Sequence, residues 1–291
     1  MASGYLLLRK VQPISVIPRR LKRILIPFVF WLILYAIIKV VIIDAIGPSW
    51  TIPQLIIFIV KGFINPLTIS VQFWYIYMIL GLYLLSPILS KWIQNASIQE
   101  IEYLLLIWII VSILEFIGVH SILLDYLRYF TGAIGYFILG YYLTIKESKL
   151  LESKKFGLEL FIIGSLSTIM GTIIFSHIQL NQSLFFIRLC DLTPGAFMQS
   201  VGLFIFIKNI DYSKINSKIN KIITKISMDS YGIYLVNILV INVLYELHLL
   251  NPEKYTILMI ILTIIIVLVL SDIIIDILYK IPISRKFSGK I

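Results

Sequence analysis

Eight long apolar runs, separated by polar segments, constrain this chain more than any other feature. They cover residues 24–44, 73–90, 101–119, 129–145, 157–177, 192–208, 228–247 and 255–279. A helix needs roughly 20 residues to cross the ~30 Å hydrocarbon layer, and each run is close to that length. Because backbone polar groups in lipid must be paired within the segment, the runs predict an all-α, polytopic transmembrane helical bundle with eight spans.

The distribution of basic residues predicts how this bundle is oriented. Of the 25 Lys and Arg residues, 20 lie in alternate segments, which include both termini, only 4 lie in the other segments, and Lys39 lies inside a run. Positively charged segments stay on the cytoplasmic side. We therefore expect a multi-pass protein of the inner or plasma membrane with both termini in the cytoplasm.

Composition excludes several classes of protein. With 59% hydrophobic and 14% charged residues, the chain has too little charge to solvate the surface of a water-soluble protein. The net charge of +10 is explained by cations beside the spans on one membrane face, so nucleic acid is not an expected partner. The single Cys190 and the lack of a Cys/His cluster at metal-ligand spacing predict no bound cofactor and no metal site.

Three further segments carry structural predictions. Residues 1–8 are apolar but reach only ~12 Å as a helix, so we interpret them as the remnant of a truncated helix. Residues 52–63 predict a short interfacial or re-entrant helix. Residues 209–227 are lysine-rich and fit either a basic amphipathic helix on the inner leaflet or a solvated linker. Residues 1–291 otherwise predict one integral membrane domain with no extramembrane domain.

Short motifs occur in a fixed order along nearly the whole chain. They are residues 1–7 (MASGYLL), the Arg20 and Arg23 pair before Pro27, residues 73–77 (FWYIY), 81–87 (GLYLLSP), 135–142 (GYFILGYY), 230–235 (SYGIYL), and 280–282 (KIP) followed by Gly289. Together they resemble the membrane-bound acyltransferase 3 family. The nearest branch is similar to the surface-polysaccharide O-acyltransferases, which include the enterobacterial common antigen acetyltransferase and the intercellular adhesin protein.

The resemblance implies a ten-helix bundle that moves an acyl group, usually acetyl, from cytoplasmic acyl-CoA to a hydroxyl. The implied acceptor is a cell-envelope polysaccharide or a lipid-linked glycan. Residues that match the family motifs, and so become candidates on the acceptor side or within the motifs, are Ser3, Trp74, Tyr75, Ser230 and Asn237.

The cations before the first span are candidates for the donor site. Arg19, Arg20 and Arg23, together with Lys22, form a compact group, and guanidinium pairs phosphate bidentately, as binding of a CoA donor requires. The alternative is that these residues only enforce topology. The match of Arg20 and Arg23 to the family motif favours the binding interpretation.

The chain departs from the family pattern at its catalytic centre. Relatives open with a helix that bears a catalytic His, whereas this sequence begins in the second helix, which accounts for eight spans instead of ten. Ile79 stands where many relatives have Glu, and Asn237 stands where they often have His; an amide accepts no proton near neutral pH. We therefore expect the chain as written to be inactive without an upstream extension of one and a half helices (the extended version).

Two residues on the predicted outer side remain candidates for a general base. Glu115 lies about one turn inside a span, where an ionisable group is costly and usually faces a cavity. His120 follows it and has carboxylates nearby to orient an imidazole, although an interfacial His is more often simply hydrated. Asp272 and Asp276, near the inner end of the last span, are interpreted as interfacial charges.

A glycan exporter or flippase is the alternative function. Transporters often contain internal repeats and broken helices with charges at mid-membrane. Here the charges lie at the ends of the runs and no repeat is visible. The pattern therefore favours the enzyme over the exporter. A third interpretation, a fragment that neither folds nor catalyses, stays open because a missing helix would leave an orphaned surface; thermal stability in detergent would separate it from the other two.

Overall fold

The computed structural model describes residues 1–43, 50–117, 132–177, 193–249 and 257–290. Within these ranges the regular structure is entirely helical, without a strand. The α-helices are α1 (Ala2–Leu8), α2 (Ile17–Ile38), α3 (Ile52–Ile64), α4 (Trp74–Asn95), α5 (Ile98–Ile117), α6 (Ala133–Ile145), α7 (Lys154–His177), α8 (Pro194–Lys208), α9 (Ser217–Glu246) and α10 (Ile257–Lys280). The predicted all-α membrane bundle is thereby confirmed.

Five of the described helical segments are long and apolar enough to cross a bilayer: Ile14–Val41, Val71–Asn95, Lys154–Ile174, Ser217–Glu246 and Met259–Lys280. Helix α5 is 20 residues long but carries three acidic residues, and α3, α6 and α8 are shorter. Each of the eight apolar runs overlaps one of the described helices. Some residues at the ends of the runs lie outside the described ranges.

Two helices begin about two turns or more before the apolar runs that predict them. Helix α2 starts at Ile17, so the cations before the first run lie inside the helix. Helix α9 starts at Ser217 and continues unbroken for 30 residues, or about 45 Å at 1.5 Å per residue. Both interpretations of residues 209–227, as a separate surface helix or as a linker, are therefore wrong for the part after Asn216. Lys218 and Lys221 extend the spanning helix itself.

The chain divides into two compact units. Unit 1 contains Met1–Ile14 and Leu84–Lys214, and unit 2 contains Ser15–Tyr83 and Ile215–Ile291. The boundary at Tyr83 falls inside α4. That the chain forms a single membrane domain stays a prediction.

In unit 1, glycines allow close packing of α7 against α8. A Cβ on Gly157 would lie 2.9 Å from the carbonyl oxygen of Gly202, and one on Gly164 would lie 2.8 Å from that of Gly195. Each pair along a helix is seven residues apart, so both glycines lie on one face. Small residues of this kind let transmembrane backbones approach closely. A glycine also allows α1 to pack closely against α6, because a Cβ on Gly4 would lie 1.7 Å from the Phe137 carbonyl oxygen.

In unit 2, the core forms around α2, α4 and α9, and the C-terminal segment (residues 284–290) packs against it. Phe28, Trp31 and Leu235 are among its buried side chains. Trp31 Nε1 donates a hydrogen bond to the Phe287 carbonyl oxygen at 3.0 Å. A Cβ on Gly232 would lie 2.2 Å from the Ser288 carbonyl oxygen, so this glycine is what lets the segment reach α9.

We predict that Gly164→Ala destabilises the protein by about 1–3 kcal/mol, because its methyl group would lie 2.6 Å from the Gln199 backbone nitrogen. Gly171→Ala on the same helix is the matched control, since a Cβ there meets no atom within 4 Å. Thermal unfolding in detergent is the measurement. Equal unfolding temperatures for the two variants would contradict the close packing of α7 and α8.

Candidate functional site

The basic group before the first apolar run lies in the first two turns of α2. Arg20 is half-buried, whereas Arg19, Lys22 and Arg23 are exposed. No side chain caps this helix, and Pro18 lies in its first turn. A 3₁₀ turn, Ile14–Val16, leads directly into α2, so the attraction for an anion here comes from the four cationic side chains. This arrangement is suited to binding a phosphate-bearing ligand.

Unit 2 also contains an ionic cluster that sequence reasoning missed. The Asp/Lys cluster consists of Lys225 and Asp229 on α9, Asp272 and Asp276 on α10, and Lys290 in the C-terminal segment. Lys225 Nζ donates to Asp272 and lies 3.0 Å from Asp276 Oδ2 and 3.5 Å from Asp229 Oδ2. Lys290 Nζ lies 3.0 Å from Asp229 Oδ1 and 3.0 Å from Asp276 Oδ1.

The pairing within the Asp/Lys cluster compensates for the burial of its charges. Asp229 is fully buried, and the side chain of Lys290 is 17% exposed, so each would be costly alone. Burial by itself lowers the pKa of Lys290, but hydrogen bonds to Asp229 and Asp276 outweigh burial and raise that pKa. The sequence pattern alone predicts Asp272 and Asp276 to be interfacial charges. In the structure they are instead partners of Lys225 and Lys290.

We predict that Lys290→Gln lowers the free energy of unfolding by about 3 kcal/mol, because removing one partner of a buried ion pair leaves the other charge uncompensated. The fully buried Asp229 would then keep only Lys225, at 3.5 Å. Lys286→Gln removes the same charge from an exposed position in the same segment and serves as the control. Thermal unfolding in detergent distinguishes them; equal losses would show that the cluster contributes only net charge.

A second group of polar side chains lies where the chain enters α4. Residues 66–73 form two 3₁₀ turns, Pro66–Thr68 and Val71–Phe73, before α4 begins. Ser70, Gln72 and Phe73 are buried there. Non-helical backbone at membrane depth is tolerated only where protein covers it or where it lines a cavity. We call Ser70, Gln72, Tyr35 and Tyr234 the Gln72 cluster.

Hydrogen bonds hold the Gln72 cluster against α2 and α9. The Tyr35 hydroxyl donates to the Leu235 carbonyl oxygen at 2.9 Å and accepts from the Leu239 N–H at 2.8 Å. The Tyr234 hydroxyl donates to the backbone carbonyl oxygen of Gln72, and the Ser70 hydroxyl donates to Gln72 Oε1.

Several residues singled out from the family motifs adjoin this cluster. The Tyr75 ring lies 5.1 Å from that of Tyr234 and 6.0 Å from that of Trp74; Trp74 itself is 50% exposed. Asn237 follows Tyr234 by about one turn on α9 and is half-buried, whereas Ser230, one turn before Tyr234, is exposed.

The other candidates lie elsewhere. Ser3 is in α1 and Glu115 is on α5, both in unit 1. The Glu115 side chain is on a surface that the protein leaves exposed. His120 lies outside the described residues. The structure therefore brings Trp74 and Tyr75 together with α9 but does not bring Ser3 or Glu115 into unit 2.

A separate open cavity of about 670 Å³ lies in unit 1, between residues 11–14 and the end of α4. Its lining is mostly apolar and includes Pro87, Ile88 and Trp92, with Lys91 and Glu100 as charged members. None of the predicted site residues lines this cavity.

Comparison with known proteins identifies the family. The model of the acyltransferase 3 family, described as an acyltransferase domain, matches residues 1–276. The chain belongs to this family. No match to the chain is found among curated proteins or among solved structures. Membership of the acyltransferase family confirms the resemblance of the ordered motifs, while the polysaccharide branch and the N-terminal truncation stay predictions.

Proposed function

We propose that this acyltransferase moves an acyl group, most simply acetyl, from cytoplasmic acyl-CoA to a hydroxyl of an extracytoplasmic polysaccharide or lipid-linked glycan. The observation that carries the proposal is the family match over residues 1–276. The chemistry is an acyl transfer in which the acceptor oxygen attacks the thioester carbonyl, its proton passes to a base, and CoA leaves as the thiol or thiolate.

The arginines of α2 support the donor side of this proposal. The positive-inside pattern assigns Arg19, Arg20 and Arg23 to the cytoplasmic face, where acyl-CoA is present. CoA carries phosphate groups, and guanidinium groups form bidentate hydrogen bonds with phosphate.

The Gln72 cluster supports the acceptor side. Tyr35 lies about 18 Å beyond Arg23 along α2, at ~1.5 Å per residue, which is more than half of the ~30 Å hydrocarbon thickness. The cluster places neutral amide and hydroxyl groups beside the rings of Tyr75 and Phe73, and small-molecule sites combine a few polar groups with aromatic ones in this way. Glu115 and His120 stay the predicted candidates for the base.

Binding of CoA to the purified protein tests the donor site without requiring catalysis. We expect the double variant Arg20→Lys, Arg23→Lys to bind CoA about tenfold more weakly, a loss of roughly 1.4 kcal/mol. These substitutions keep the positive charge, and therefore the topology, but remove the bidentate geometry. Isothermal titration calorimetry in detergent is the measurement.

The control for this binding experiment is Lys22→Arg, which alters a cation of the same turn without removing a guanidinium. We expect it to leave CoA affinity unchanged or slightly increased. If the wild-type protein does not bind CoA, or if all variants bind it equally, the arginines serve topology alone and the donor assignment is wrong.

A further inference from the structure

The open cavity of unit 1 lies between two walls that a buried hydrogen bond holds together. One wall is residues 11–14, in which Val11 is 53% and Ile14 is 77% exposed, and the other is the end of α4. The Gln12 N–H donates at 2.8 Å to the hydroxyl of Ser90, a fully buried residue of α4. This bond sets the spacing of the walls, so the cavity is part of the fold of unit 1.

The face of α4 that leads into the cavity changes from apolar to polar. Leu84, Ile88, Lys91 and Asn95 follow one another at spacings of four, three and four, which place them on one helix face. Leu84 and Ile88 are exposed within a segment long and apolar enough to cross a bilayer. The four residues extend over about 16 Å of helix, roughly the hydrocarbon depth of one leaflet. A lipid chain lying on this face therefore ends at the cavity.

The two charged residues of the cavity have opposite signs and do not neutralise each other. Lys91 is on α4 and Glu100 is in the first turn of α5, and both are exposed. Glu100 Oε2 accepts from the Ser97 N–H at 2.6 Å and from the Ser97 hydroxyl at 2.8 Å. Although both residues are described, no ion pair joins Lys91 to Glu100. At neutral pH the cavity thus offers one cation and one anion to a ligand.

This combination of walls and charges selects a zwitterionic lipid. Exposed apolar side chains that line a groove are typical of a binding site, and here they continue a lipid-facing surface. The ammonium of Lys91 attracts a phosphate, whereas the carboxylate of Glu100 attracts an ammonium and repels an anionic headgroup. Phosphatidylethanolamine carries one phosphate and one primary ammonium. Trp92, which also lines the cavity, is a residue type enriched at the membrane–water boundary.

We propose that this cavity binds one phosphatidylethanolamine molecule, with its phosphate at Lys91, its ammonium at Glu100 and its acyl chains along Leu84 and Ile88. The predicted orientation places residues 91–100 on the cytoplasmic side, so the lipid belongs to the inner leaflet. Because it covers both walls, it joins residues 11–14 to α4 and stabilises unit 1. The inference requires no acyl transfer and is independent of the proposed function.

Native mass spectrometry of the full chain in detergent, titrated with dioleoyl phosphatidylethanolamine or dioleoyl phosphatidylglycerol, tests the site. We expect the first phosphatidylethanolamine molecule to bind about threefold to fivefold more tightly than phosphatidylglycerol, the effect of one exposed ion pair. We also expect phosphatidylethanolamine to raise the thermal unfolding temperature more than phosphatidylglycerol does, since a ligand of the folded state stabilises it.

Two variants assign the headgroup contacts. Lys91→Gln should weaken the binding of both lipids by about threefold, because both carry a phosphate. Glu100→Gln should abolish the preference between them, because phosphatidylglycerol no longer meets a like charge. Glutamine at this position still accepts from Ser97 and so keeps the helix start intact.

The matched controls are Glu147→Gln and Lys149→Gln, which remove the same charges from exposed positions on the same predicted side but outside the cavity. We expect both controls to bind the two lipids as the wild type does. Equal binding of the two lipids to the wild type, or equal effects of the cavity and control variants, would show a non-selective lipid layer and overturn the inference. One-for-one displacement of phosphatidylethanolamine by palmitoyl-CoA would also overturn it, because the cavity would then be an acyl-donor site.

Discussion

The hydrocarbon core of the membrane offers no hydrogen-bond partners, and this constraint governs the whole structure. Backbone groups satisfy it by forming helices, so every described regular element is a helix. Buried polar side chains satisfy the same constraint by pairing with other side chains. Asp229, fully buried on α9, is compensated by lysines from α9 itself and from the C-terminal segment.

The same constraint explains which parts of the fold the sequence predicts well. Apolar runs and the asymmetry of basic residues report directly on lipid contact and insertion, so the membrane class and the approximate positions of the helices follow from them. Helix ends at the membrane surface cannot be predicted from these two patterns, because a lysine such as Lys218 can continue a helix in water as readily as it can end one. The true start of α9 at Ser217 is therefore not visible in hydropathy.

The sequence did not predict which charged side chains pair with one another over long distances along the chain. Lys225 pairs with Asp272 on α10, 47 residues away, and Lys290 pairs with Asp229 on α9, 61 residues away. A signal was present, since Lys225 and Asp229, and likewise Asp272 and Asp276, are spaced four apart and so share a helix face. The glycines of α7 and α8 gave a similar signal through their spacing of seven. In each case the spacing identifies a face but not what covers it.

The candidate site shows the same division between local and distant information. Motif residues such as Trp74 and Tyr75 could be selected from the sequence, and the structure brings them together with Tyr234. Gln72, two residues before Trp74, carries no sequence signal of its own, because only the packed structure reveals that it is buried among hydroxyl groups. Ser3 was also selected by motif but lies in the other unit.

The most direct test of the central claim is transfer of radiolabelled acetyl from acetyl-CoA to membrane glycan, measured for the chain and for the extended version. This account predicts that label appears in the glycan fraction with at least one version and is lost when Arg20 and Arg23 are both replaced. If neither version transfers label while glycan still reaches the outside in a protein-dependent manner, the acyltransferase assignment is contradicted and a glycan exporter takes its place.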